Sequence, residues 1–137
     1  MAAELILDTG AWVALLDRSE KQHAACVEVL EEWAGGLLTT EAVLTETLHL
    51  LAPSQRAQQA CLAFLFRGAV QMVPASIASQ KRAAALMEKY SDLPMDYADA
   101  SLVALAEEVG TDQVFTLDRR GFAVYRLLGR KPFFILP

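Results

Sequence analysis

The strongest constraint on this chain is an alternation. Short apolar runs of three to five residues, Leu5-Ile6-Leu7, Leu37-Leu38-Thr39, Val70-Gln71-Met72-Val73 and Gln113-Val114-Phe115-Thr116-Leu117, are separated by longer segments with apolar residues at helical spacing. A short apolar run bounded by turn residues reads as a buried strand, and a longer periodic segment as a helix. Strands that alternate with helices are joined by right-handed crossovers, which make the strands parallel and cover both faces of the sheet. The expected fold class is α/β: a parallel sheet of about five strands with helices on both faces, in three layers. Pro132-Phe133-Phe134-Ile135-Leu136 supplies the fifth strand at an edge, where a starting proline is tolerated. No repeat or linker interrupts the pattern, so residues 1–137 read as one domain.

The punctuation sets the helices. One follows Asp8-Thr9-Gly10 through Leu16. Ser19 with Gln22 resembles a capping box opening a helix to Trp33. Ala25, Val29, Leu30 and Trp33 share its apolar spacing, which makes Trp33 core. Thr39 or Thr40 caps a helix through Leu51, and further helices cover Ser54 to Phe66 and Ser76 to Tyr90. The last runs from Asp96 to Val109 and stops at Gly110.

Composition narrows the function. Hydrophobic residues make up 54% of the chain, above the ~45–50% usual for soluble domains. Together with Val27, Leu30, Leu62, Phe64, Leu65 and Phe66, this surplus predicts a homodimer or a tight complex. The formal charge of −5 gives no bulk attraction to nucleic acid or anionic membrane, so a polyanionic substrate would need a local basic patch. Cys26 and Cys61 have no metal-binding spacing and read as small buried thiols of a reducing compartment. The N-terminus lacks a basic leader, and no apolar run approaches the ~20 residues of a membrane span. A soluble cytoplasmic protein is expected.

The acids carry the chemistry. The first strand ends at Asp8 and the fourth at Asp118, and open α/β sheets bind ligands at the carboxyl ends of their strands. Asp96 and Asp99 open the helix between them and share a face of its first turn. A cap position points Asp96 toward backbone amides, whereas Asp99, one turn in, can point sideways toward Asp8 and Asp118. In Thr39-Thr40-Glu41-Ala42-Val43-Leu44-Thr45-Glu46, Glu46 interrupts an apolar face and Glu41 suits the helix dipole; the helical wheel leaves open which glutamate matters. Converging carboxylates repel one another and shift upward in pKa unless a cation joins them. All-oxygen donors suit Mg²⁺ or Mn²⁺, and such a centre hydrolyses phosphodiesters well.

Four pieces carry a resemblance: Leu7-Asp8-Thr9-Gly10, Thr45-Glu46-Thr47, Met95-Asp96-Tyr97-Ala98-Asp99-Ala100-Ser101-Leu102 and Phe115-Thr116-Leu117-Asp118-Arg119-Arg120-Gly121-Phe122. In this order they resemble the PIN domain, close to its bacterial toxin branch, the VapC-like ribonucleases. The resemblance spans essentially the whole chain. It implies that Asp8, Glu46, Asp99 and Asp118 are catalytic, metal-binding acids, with Asp96 an accessory acid near the metal. Thr9 and Thr116 would be hydroxyls supporting those ligands. It further implies Mg²⁺- or Mn²⁺-dependent endonucleolytic cleavage of RNA, leaving a 5′-phosphate and a 3′-hydroxyl, and pairing with a small antitoxin.

Arg119 and Arg120 directly follow Asp118 and supply the local positive charge that an RNA backbone needs. Arg126, Arg130 and Lys131 read equally well as a solvated tail. Trp12, His23 and His49 read as structural. The competing functions are a binding module whose acids only cap helices, and a housekeeping nuclease without an antitoxin. A haloacid-dehalogenase-like phosphatase wants an aspartate where Gly10 stands, and a receiver domain wants a late lysine where Asp118 ends the strand.

Overall fold

The computed structural model describes residues 3–137. Its centre is β1 (Leu5–Leu7), buried at every position. β1 pairs in parallel with β2 (Leu37–Thr39) on one side and with β4 (Gln113–Phe115) on the other. β3 (Gln71–Met72) extends the sheet beyond β2, and β7 (Phe134–Leu136) extends it beyond β4. The five strands lie in the order β3-β2-β1-β4-β7, all parallel.

The helices are α1 (Thr9–Leu16), α2 (His23–Glu32), α3 (Glu41–Leu50), α4 (Gln55–Phe66), α5 (Ile77–Lys89) and α6 (Tyr97–Val109). The chain steps from β1 to β2 to β3 in one direction, then returns across the sheet to β4. Right-handed crossovers therefore place α1 to α4 on one face and α5 and α6 on the other. Consistent with this, α1 packs against α2, α3 and α4, while α5 packs along α6. The reversal of direction at β1 leaves a crevice between the carboxyl ends of β1 and β4, the place where doubly wound sheets bind ligands.

Some local readings are corrected. The Ser19–Gln22 capping box does not form: Ser19 N and Oγ both donate to Asp17 Oδ1, and the helix starts only at His23. Aspartate two residues upstream offers a tighter local turn than a helix cap would. The fourth strand ends at Phe115 rather than Leu117: Thr116 N still donates to the Leu136 carbonyl at 2.9 Å, but the chain then turns, with Asp118 N donating back to the Thr116 hydroxyl at 2.9 Å. After it come a short helix α7 (Arg119–Phe122) and a small antiparallel ribbon of β5 (Arg126–Leu127) and β6 (Lys131–Pro132). Pro132 therefore belongs to this ribbon and not to the edge strand.

Trp12 is fully buried beside Phe64. Trp33 is half-buried, and its Nε1 donates to the Gly36 carbonyl. His23 Nδ1 lies 2.6 Å from the Ala14 carbonyl oxygen. His49, in contrast, is exposed. The apolar surplus divides: Phe64 is buried, whereas Phe66 is 78% exposed. Cys26 and Cys61 are free and buried, and burial pushes both thiols up to about 11.

Candidate metal centre at the carboxyl end of the sheet

Asp8 is the first residue past β1 and the N-cap of α1. Its Oδ1 accepts from Thr9 N at 2.8 Å and its Oδ2 from Thr116 Oγ1 at 2.6 Å. The same Thr116 hydroxyl accepts from Asp118 N at 2.9 Å. One threonine thus ties together the ends of β1 and β4. Asp8 is only 5% exposed. Burial raises its pKa to about 6 against those two hydrogen bonds, and the charges of Glu46 and Asp118 add to the rise.

Asp118 is exposed and caps α7, its Oδ1 accepting from Gly121 N at 3.1 Å. Asp96 caps α6, its Oδ1 accepting from Asp99 N at 2.8 Å. Asp99 does two things at once. Its Oδ2 takes the reciprocal bond of the capping box from Asp96 N, and it also accepts from the Tyr125 hydroxyl, each at 3.4 Å. Burial raises Asp99 to about 8, with the Asp96 and Asp8 charges adding to it. Glu41 is exposed in the first turn of α3, whereas Glu46 is half-buried one turn further along and within electrostatic range of Asp8.

The structure thus gathers Asp8, Glu46, Asp96, Asp99 and Asp118 around one crevice. Among the described residues no three of these groups stand close enough, as placed, to close on one ion. The donor set nevertheless fits a hard divalent cation. Every candidate ligand is a carboxylate. Among the described residues the ion pairs are Arg82–Glu107 and Lys131–Asp112, and neither touches the cluster. Thr9 Oγ1 is buried beside Asp8 and has no hydrogen-bond partner among the described residues. A buried hydroxyl without a partner next to a carboxylate without a counter-ion is costly unless a ligand or water completes the site.

Two hollows flank the acids. A groove of about 930 Å³ between α3 and α6 is lined by Glu46, Asp96, Tyr97, His49 and Leu105, among others. A smaller cavity of about 560 Å³ is lined by Asp99, Asp118, Arg120, Gly121 and Tyr125. Arg120 thus lines the same cavity as Asp99 and Asp118, while Arg119 donates to the Pro137 carbonyl. Arg126 is structural, its Nη1 donating to the carbonyls of Ala123, Val124 and Tyr125, and Lys131 pairs with Asp112. Tyr125 escapes a sequence reading altogether. It lies just past α7, outside every acidic motif, and only the fold brings its hydroxyl to Asp99.

The sequence matches the PIN domain family over residues 5–127, and the chain belongs to that family. Within that family it is 34% identical to Ribonuclease VapC26 of Mycobacterium tuberculosis over 135 residues, covering 97% of this chain and 100% of that protein. The crystal structure of M. tuberculosis VapC20, a toxin cleaving the sarcin–ricin loop, superposes with a TM-score of 0.80 at 19% identity, over 88% of this chain and 95% of that one. A toxin–antitoxin complex from Klebsiella pneumoniae superposes with a TM-score of 0.68 at 18% identity, over 88% and 91%.

Proposed function

We propose that the chain is an endoribonuclease, one nuclease domain in extent, that hydrolyses RNA phosphodiester bonds with a divalent metal and acts in the cytoplasm as the toxin of a toxin–antitoxin pair. The observation that carries this is the set of carboxylates without cationic partners, Asp8 and Asp99 foremost, in a chain that aligns end to end with a ribonuclease. No helix among the described residues is long and apolar enough to cross a membrane, which is compatible with that location.

Asp8, Glu46, Asp99 and Asp118 would hold the ion, with Asp96 beside it. A bound Mg²⁺ or Mn²⁺ would lower the pKa of the attacking water and offset charge on the phosphate. Thr116 fixes the Asp8 carboxylate in place, and Thr9 N holds its other oxygen. The Thr9 hydroxyl is left to bind a water or a phosphate oxygen. Arg120, beside Asp99 and Asp118, would hold the RNA backbone against the net negative charge of the protein, with Arg119 adjacent. The groove along α3 and α6 gives the strand, or an antitoxin segment covering the acids, a place to lie. A homodimer is proposed on the exposed Phe66 and the apolar surplus.

The test is paired. Purified protein should cleave RNA with added Mn²⁺ and stop with chelator, and its expression in a bacterial host should arrest growth. Asp8→Asn should abolish both. Growth arrest that survives Asp8→Asn would place the toxicity elsewhere than in this site.

A further inference from the structure

Tyr125 is 2% exposed, yet its hydroxyl emerges among the acids. Two rings hold it edge-on: Phe122 and Tyr90 each stand with ring centroids 5.1 Å away. Its backbone is fixed as well. Tyr125 N donates to the Gly121 carbonyl at 3.0 Å, and the next amide, Arg126 N, donates to the Tyr90 hydroxyl at 3.0 Å. A ring clamped this way offers its hydroxyl from one direction only.

That direction is toward two carboxylates from separate elements. The hydroxyl donates to Asp99 Oδ2, on α6, at 3.4 Å. Gly121 lies between it and Asp118. A methyl placed on Gly121 would meet Asp118 Oδ2 at 2.6 Å and Tyr125 Oη at 2.9 Å, so the missing side chain is what lets the phenol and the α7 acid share one space. A phenol is protonated at neutral pH and a carboxylate can only accept, so toward these acids the hydroxyl acts as a donor.

We propose that Tyr125 is a positioning residue of the metal centre: its hydroxyl fixes the Asp99 carboxylate from the α7 side and holds α6 and α7 in the spacing that one ion needs. The long 3.4 Å bond suits this role, since bonds among site residues commonly tighten when the ligand arrives. Partners standing behind a ligand typically set metal affinity by ~10–100-fold. The inference rests on Asp99 being a metal-holding acid, and its test separates the two.

Mn²⁺ affinity of the full chain is measured by calorimetry for the parent, Tyr125→Phe and Asp99→Asn, with thermal unfolding of each without metal. Tyr125→Phe keeps the ring and its packing, so its metal-free melting temperature should match the parent while Mn²⁺ affinity falls by roughly 10-fold. Its RNA cleavage should fall at low Mn²⁺ and recover at high Mn²⁺, a rescue that a merely structural role would not give. Parental affinity in Tyr125→Phe, with affinity lost in Asp99→Asn, overturns the proposal and leaves the metal centre standing. Parental affinity in Asp99→Asn overturns both. If Tyr125→Phe fails to fold, Tyr125→Met replaces it, since it fills the buried space with an apolar side chain that carries no hydroxyl and leaves every acid in place; parental Mn²⁺ affinity there overturns the proposal.

Discussion

Helix α6 carries two carboxylates with opposite fates. Near its C-terminal end, Glu107 is fully satisfied: Oε1 accepts from Arg82 Nε at 2.7 Å, and Oε2 accepts from Arg82 Nη2 and Leu128 N, each at 3.0 Å. In its first turn, Asp99 has no cationic partner among the described residues and only two long contacts at 3.4 Å. The same helix thus anchors α5 and the ribbon at one end and holds an unneutralised charge at the other. An arginine fork makes a carboxylate part of the scaffold. A carboxylate left beside other carboxylates stores electrostatic cost that a cation relieves.

The widest separation should appear in catalysis. Asp99→Asn should lower metal-dependent RNA cleavage by at least ~100-fold, since it removes a ligand. Glu107→Gln should cleave at nearly the parental rate. Comparable losses in the two variants, measured on one RNA, would erase the distinction. Asp96→Asn should lie between them and close to the parent, because asparagine caps a helix as well as aspartate does.

Stability should show the next largest effect, and its sign follows from the raised acids. Asp8 titrates near 6 in the fold against 3.8 when unfolded, so between those values the folded state binds more protons. Stability of metal-free protein should therefore fall as pH rises from about 4 to 6, by up to ~3 kcal/mol for Asp8, and fall further toward 8 as Asp99 ionises. Asp8→Asn should flatten the lower part of this slope, and Mn²⁺ should restore stability at pH 8. Denaturant melts across pH, with and without Mn²⁺, measure it; stability that rises with pH through this window would contradict the raised pKa values.

The satisfied end should respond more weakly. Arg82→Ala should cost about 1–2 kcal/mol at neutral pH, since Arg82 is itself 41% exposed and Glu107 keeps the Leu128 amide. Cleavage should be unchanged. Smallest of all, Arg120→Ala should weaken RNA binding a few-fold at physiological salt and reduce the slope of log affinity against log salt by about 1. A salt slope equal to the parent's would remove Arg120 from the RNA path.

The strands and most helix ends were legible because apolar runs and caps are local signals. Leu5-Ile6-Leu7 is a buried strand, and Gly110, at φ 76°, closes α6 in the left-handed conformation that glycine favours. The Ser19–Gln22 box misled because Asp17 competes for the same serine. The structure treats the two glutamates of α3 differently, leaving Glu41 in solvent and bringing Glu46 within range of Asp8, a distinction that depends on how α3 lies over the sheet.

The sequence by itself determined the alternation of strand and helix, and with it a parallel sheet with Asp8 directly after its first strand and Asp118 in the turn after its fourth. It also placed Asp96 and Asp99 in one helical turn. Those are consequences of spacing along the chain. Tertiary structure alone decided which acids meet, that Thr116 bridges Asp8 to the Asp118 turn, and that Tyr125 reaches Asp99 across 26 residues of sequence. The reason is physical: hydropathy fixes which face of an element is buried, but burial, desolvation and charge coupling depend on distances between elements, and those exist only once the sheet is assembled.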